Sequence, residues 1–526
     1  AMCEGAIIEM ATGEGKTLTA AMAASLWAWA GRPVHVVTVN DYLVERDASE
    51  MGPIYRLMGL EVGWIVHEMR HADRLDHYRR NVIYCTQKEL VADFLRDQIA
   101  LGTLRTSAQT SAMFLAGAMG RRLLVPGLFR VVVDEADSVL IDEAVTPLII
   151  SNSPDEEPNA PHYYEADALA QQLTPQRDFT IDRTLRHCEL TARGLERLEE
   201  LCADSRFWRG ARRRQELVQQ ALTARHCFIR DEQYLVDAEG KVVIIDEFTG
   251  RIMKDRSWRH GMHQAIEVKE GLKLTADKEN LARLSFQRFF RQYPIMAGMT
   301  GTAWEAATEL WQIYGRPVVR IPTNRPCIRR QLPTRMFATA DEKWEAVCER
   351  VIEVHRTGAP VLVGTRSVLA SEEVSRRLGA RGVAHTVLNA THTKEEARIV
   401  AQAGQLGAVT VATNMAGRGT DIKLQRGVSD LGGLHVIATE PHGSGRVDRQ
   451  LYGRAGRQGD PGCAQMFCSA EDDLFVRHAA RTRKLWAVIG PDRLIAAAQA
   501  DAERHARFNR RQVLKGDDWM DESVPF

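Results

Sequence analysis

Short apolar runs, each ending in polar or glycine-rich residues and followed by a helix-compatible stretch, recur along the first third of the chain. Ala6-Ile7-Ile8 leads into Met10–Thr17 (MATGEGKT), and the alanine-rich stretch Thr17 to Trp29 fits a helix. Val34–Val39, Val82–Thr86 and Phe129–Val133 are short and rich in β-branched residues, as buried strands are. Strand, loop, helix and strand in this order predict a parallel α/β domain. Ligands of such sheets sit at the carboxyl ends of the strands. Those ends carry Asn40-Asp41-Tyr42-Leu43, Thr86 and Asp134-Glu135-Ala136-Asp137.

After Leu148-Ile149-Ile150 the pattern changes, and Ser151–Pro158 reads as a polar, proline-bearing linker at a domain boundary. The segment beyond it is charged, and its Arg212-Arg213-Arg214 reads better as a solvated helix face than as a binding patch. Tyr234–Asp237 and Lys241–Asp246, joined by Ala238-Glu239-Gly240, predict a hairpin, so a small α+β module is inserted here. A long polar helix pattern follows, then a small-residue loop at Ala297–Ala303. A second series of strands at 361–365, 387–389, 408–413 and 434–439 predicts a second parallel sheet. Two of its loops, Asn414–Asp421 and Gln450–Asp460, are dense in arginine and glycine, which suits phosphate oxygens. Past Leu474 the chain is helical and polar, with an acidic tail.

Composition narrows this picture only at a few points. The 526 residues suffice for three or four domains, and 69 Lys+Arg against 69 Asp+Glu give no support to a strongly basic nucleic-acid surface. The apolar run from Leu18 to Gly31 is shorter than the ~20 residues of a membrane span, and no signal peptide is evident, which points to the cytoplasm. Nine scattered cysteines fit reduced thiols, and Cys463 and Cys468 read as strand core rather than metal ligands.

The chemistry gathers at two places. In Gly13-Glu14-Gly15-Lys16-Thr17 the glycines let backbone N–H groups approach a triphosphate, the lysine reaches the outer phosphates, and the threonine hydroxyl can ligate Mg²⁺. Met10 stands where the generic loop has its first glycine, and a glycine turn capping a helix is the plainer alternative. In Asp134-Glu135 one carboxylate can hold Mg²⁺ while its neighbour activates water; acidic residues favoured at a helix N-terminus are the other reading.

Five stretches then resemble one family. Val34–Asp47 (VHVVTVNDYLVERD), Val133–Ser151 (VDEADSVLIDEAVTPLIIS), Ala297–Ala303 (AGMTGTA), Ala412–Ile422 (ATNMAGRGTDI) and Gln450–Gly462 (QLYGRAGRQGDPG) are similar to the SecA preprotein translocase ATPase, whose phosphate loop also opens on methionine. The resemblance implies an α/β fold of two RecA-like parallel-sheet motor lobes with an inserted α+β domain and a short C-terminal helical segment. The first lobe would span 1–150 and 261–318, a preprotein cross-linking-like insertion 151–260, the second lobe 319–472, and a shortened helical scaffold 473–526.

By the same resemblance, Gly13, Glu14, Gly15, Lys16 and Thr17 would bind ATP, and Thr17 and Asp134 would hold Mg²⁺. Glu135 would position the attacking water. Arg418 and Asp421 would contact nucleotide, Arg454 and Arg457 would stabilise the γ-phosphate, and Thr300 and Gly301 would couple the lobes. The implied partners are an unfolded preprotein and a SecY-type channel, with no nucleic acid; the location is cytoplasmic, peripherally associated with the inner face of the cell membrane. A homodimer is compatible with this.

The departures are specific. Few residues precede the phosphate loop where the family has its adenine-contacting glutamine segment, Val145 replaces an arginine, and Tyr452 and Ala455 replace arginine and serine. Residues 496–518 resemble only the start of the scaffold helix, without the family's wing, finger or zinc tail. A nucleotide-responsive clamp on polypeptide or channel, or a nucleic-acid helicase, are the competing functions.

Overall fold

The structure is a computed structural model that describes residues 1–101, 123–152, 160–182, 187–202, 211–230, 233–237, 240–245, 252–253, 258, 261–275, 279–388, 399–400, 402–413, 419 and 421–523. The chain divides into two compact units, one of residues 1–150 with 282–526 and one of 151–281. No helix among the described residues is long and apolar enough to cross a membrane.

The first unit contains two parallel sheets. In the first, β1 (Ile7–Glu9), β2 (Val34–Thr38), β3 (Val62–Ile65), β4 (Val82–Thr86), β5 (Arg130–Asp134), β6 (Ile295–Thr300) and β7 (Val318–Arg320) take the order β7-β1-β6-β5-β2-β4-β3. Its central strands are buried on both faces, which explains their continuous runs of Val and Ile. Register sets the site: Glu9 lies opposite Thr300 and Asp134 opposite Met299, so three strands deliver their last residues to one edge. Helix α1 (Lys16–Ala28) buries Ala20, Ala21, Ala23, Ala24 and Trp27 against this sheet, and α2 (Asp41–Leu57) starts from an Asn40 side chain that accepts the Leu43 N–H.

In the second sheet β8 (Arg330–Gln331), β9 (Arg335–Phe337), β10 (Val361–Thr365), β11 (Thr386–Leu388), β12 (Val409–Thr413), β13 (Leu434–Ala438) and β14 (Gly462–Ser469) are ordered β8-β14-β13-β10-β12-β11, with β9 also on β14. Cys463 and Cys468 are buried in β14, and all nine thiols are free. Three helices matter below: α3 (Gly445–Tyr452), α4 (Asp473–His478) and α5 (Pro491–Ser523). The amino half of α5 packs Leu494 and Ala498 on Leu474 and Phe475, beside the second sheet. Further along, Arg510 pairs with Glu309 at 2.7 Å and the Asp517 carboxylate accepts the Ser285 N–H at 2.9 Å, beside the first.

The second unit has its own core, in which Phe179, Leu198, Val218, Leu222, Tyr234 and Ile266 are buried. Strands Phe179–Asp182 and His187–Leu190 pair antiparallel, as do Tyr234–Val236 and Val242–Ile245. The helix Met262–Lys269 lends Ala265 and Ile266 to this core, so the compact unit runs to Leu281 rather than ending at 260.

Two sequence expectations are corrected. The stretch before Ala297 is not one long polar helix: it breaks into Met262–Lys269, the strand Glu279–Leu284 and the helix Phe286–Arg291, whose Phe286, Phe289 and Phe290 are buried. Ala297–Thr300 is not a loop but the end of β6, near the middle of the first sheet. Its small residues serve packing, because a Cβ on Gly298 would meet Ala136 Cβ at 2.8 Å and the Val133 carbonyl at 3.3 Å. Gly298→Ala should therefore lower stability by about 1–3 kcal/mol, read as an earlier urea midpoint at unchanged slope. An unmoved midpoint would mean that β5 and β6 have slack at the site's base.

Candidate nucleotide site

The loop between β1 and α1 turns on two glycines in the left-handed region, Gly13 (φ 91°) and Gly15 (φ 89°), where L side chains are strained. They bring the free N–H groups and positive end of α1 to the sheet edge, an arrangement that receives anions. Lys16 Nζ lies 3.8 Å from Glu135 Oε1. Glu135 itself has φ 49°, a conformation unusual for a non-glycine residue, and it follows directly on β5.

Asp134 and Glu135 are both buried, and the Asp134 carboxylate accepts the Glu135 N–H at 2.8 Å. Burial, reinforced by the Glu135 charge, pushes Asp134 up to about 7, against the pull of Lys16. A carboxylate so placed calls for a cation. With the Thr17 hydroxyl on the first turn of α1, the donor set fits Mg²⁺.

The second sheet supplies the opposite wall. Gln458 Nε2 donates to the Gly13 carbonyl at 2.8 Å, and Arg457 Cβ stands 3.6 Å from where a Gly13 Cβ would be. The Arg457 guanidinium donates to the Gly453 carbonyl at 2.9 Å and pairs with Asp421. Burial pushes its pKa down, opposed by Asp421 and Glu135. The segment between the sheets also reaches the loop, as the Asn324 N–H donates to Glu14 at 3.0 Å. Together they enclose a cleft of about 240 Å³ lined by Thr12, Glu14, Glu135, Gly301, Arg454 and Arg457, among others. Arg418 lies outside the described residues, but Arg46 of α2 donates to the carbonyl of the adjoining Gly419 at 3.0 Å.

One cluster was not recognised in the sequence. Asp137, fully buried, accepts Thr300 Oγ1 at 2.6 Å, Thr302 Oγ1 at 2.8 Å, Arg446 Nη1 at 2.9 Å and Gln450 Nε2 at 2.6 Å. Arg446 also pairs with Asp142. Arg446 and Gln450 lie one turn apart on α3, so this helix of the second sheet is clasped to the acidic loop of the first. The spacing Arg446-x-x-x-Gln450 was visible in the sequence; its partner was not.

The raised Asp134 value has a consequence for stability. Between the usual carboxylate value and about 7 the folded chain keeps a proton that the unfolded chain releases, so this contribution is present at acid pH and is lost as pH rises through that window. In protein without nucleotide the parent should lose stability relative to Asp134→Asn between about pH 4 and 7, by on the order of a few kcal/mol. Parallel urea-unfolding profiles for the two proteins would show Asp134 to be ionised throughout.

Comparison with known proteins follows the same lines. The family model described as SecA DEAD-like domain matches residues 1–311, and that described as SecA P-loop domain matches 326–428 and 425–488. The chain is 47% identical over 540 residues to "Protein translocase subunit SecA 2" of Bordetella avium, covering 100% of this chain and 81% of that protein. It is also 47% identical over 472 residues to "Protein translocase subunit SecA" of Nitratidesulfovibrio vulgaris, covering 90% of this chain and 54% of the relative. Among solved structures, the DEAD-box helicase Mss116 bound to ssRNA and UDP-BeF aligns with a TM-score of 0.44 at 10% identity, over 92% of this chain and 69% of that one. With family models spanning both sheets and relatives matched along its whole length, the chain belongs to the SecA family of translocase ATPases.

Proposed function

We propose that this chain hydrolyses Mg²⁺-ATP in the cleft between its two sheets and uses the turnover to move unfolded preproteins through a SecY-type channel. The observation that carries the reading is the convergence of the Gly13–Lys16 loop, Glu135 and Arg457 on one cleft. The preprotein would engage the 151–281 unit, in the role of a preprotein cross-linking domain. The protein would work in the cytoplasm, at the inner face of the membrane beside the channel.

Backbone N–H groups from Gly13 to Thr17 hold the phosphates at the head of α1. Lys16 exchanges its Glu135 partner for the outer phosphates, and Glu135 orients and activates the attacking water. Thr17 and Asp134 would hold Mg²⁺, which neutralises charge between the outer phosphates. Arg457, released from Asp421, and Arg454 stabilise the charge that grows on the γ-phosphate as the second lobe closes. Phosphate departure restores the Lys16–Glu135 and Arg457–Asp421 pairs, so each turnover exchanges the partner of one cation in each lobe.

The decisive measurement is ATP turnover with and without an unfolded export substrate and SecY-containing membranes. Turnover stimulated by both supports the motor; nucleotide-dependent gripping without transport would favour a clamp. Glu135→Gln should bind ATP yet hydrolyse slowly, since binding groups remain and water activation is lost. Arg457→Ala should cut turnover by about 10³ or more while ATP binding largely survives, and lysine there should rescue poorly because it lacks the guanidinium fork. Hydrolysis by Arg457→Ala within a few-fold of the parent would overturn the closing-lobe mechanism.

A further inference from the structure

Away from the cleft, three side chains with metal-binding atoms converge where α4 meets α5. His478, the last residue of α4, places Nδ1 2.9 Å from Asp501 Oδ2, and His505, one turn along α5 from Asp501, places its Nδ1 3.3 Å from the same oxygen. One ligand atom from each residue lies within 4.8 Å of the other two, the only group of three or more such residues found among the described residues. The two rings are tilted at 54° with centroids 5.5 Å apart, not stacked.

These spacings suit a particular kind of ion. Zinc takes nitrogen and oxygen ligands at about 2.0–2.1 Å, which in a tetrahedron puts donors about 3.3 Å apart. Mg²⁺ and Ca²⁺ want six or more oxygens, whereas two imidazoles with one carboxylate suit Zn²⁺, Ni²⁺ or Cu²⁺. Asp501 is already oriented, because Arg504 holds its other oxygen at 2.7 Å and leaves Oδ2 to the histidines. Beneath the cluster, Leu474, Phe475, Leu494 and Ala498 are packed, so the helices that carry the ligands are held in place. The His505 side chain is 69% exposed, which gives an ion and a completing water access from solvent.

We infer that His478, Asp501 and His505 form a site for one divalent transition-metal ion of the zinc class, stapling α5 to the end of the second lobe. The same helix reaches the first lobe through Arg510 and Glu309, so a bound ion would fix one end of an element that touches both. In its absence His478 Nδ1 hydrogen-bonds with Asp501 Oδ2 at 2.9 Å, and His505 Nδ1 hydrogen-bonds with the Asp501 backbone carbonyl at 2.9 Å.

Tag-free full chain, its His478→Ala and His505→Ala variants, and His71→Ala as a distant control should be titrated with Zn²⁺ and separately with Ni²⁺ by calorimetry. The parent and His71→Ala should bind one ion with equal affinity, and each ligand variant should bind at least tenfold more weakly. Metal should raise the thermal midpoint of the parent and not that of His478→Ala. Because the His505 ring is largely exposed, that variant tests the site even if His478→Ala folds poorly. Equal affinity in parent and His505→Ala, or no binding to the parent below millimolar metal, would overturn the inference.

Discussion

A buried carboxylate organises the junction of the two sheets. Asp137 is fully buried, and taking its charge out of water would cost several kcal/mol without compensation. Compensation comes from both sides: two threonine hydroxyls from the end of β6 and its loop, and an arginine and a glutamine from α3. Opening the lobes would withdraw the second pair and let water in. On such an opening the burial of Asp137 and the contact between the lobes would change together, and the residue sits two positions from Glu135, which lines the cleft.

The long helix α5 adds a second tie of a different kind. Arg510 is buried between Glu309 and Glu503, and Asp517 is buried against the Ser285 N–H, while the other end of α5 rests on an apolar cluster with α4. Gln499 donates to Asp448 at 2.7 Å and to the His442 carbonyl at 3.0 Å. Asp448 belongs to α3, whose Arg446 and Gln450 hold Asp137. Motion of α3 against the first lobe is therefore felt directly along α5.

Much of the fold and part of the site were legible in the sequence, for identifiable reasons. Inner strands such as Val34–Thr38, Val82–Thr86 and Arg130–Asp134 are buried and so appear as apolar runs rich in β-branched residues, and the phosphate loop and the acidic pair are each a contiguous stretch. Edge strands such as Val62–Ile65 and Arg330–Gln331 lack that signature, since Trp64 in the first and both residues of the second face solvent. Ala297–Thr300 imitates a loop because packing against Ala136 demands small residues. The Asp137 clasp joins residues more than three hundred positions apart, and single-residue chemistry could not pair Asp142 with Arg446. Arg418, named from the sequence, lies outside the described residues.

On the proposed mechanism, the ion pairs in the cleft hold two of its cations until a triphosphate competes for them. Lys16 already faces Glu135, and Arg457 already faces Asp421, so these two cations are each bound to a carboxylate. A triphosphate carries more charge than either carboxylate and can displace both, but only Lys16 belongs to the lobe that receives it first. On the proposed mechanism the Arg457 exchange follows movement of the second lobe, which Asp137, α3 and α5 tie to the first. On that reading hydrolysis would be gated by elements remote from the phosphates, and a bias on α3 or α5 would set how often Arg457 reaches them.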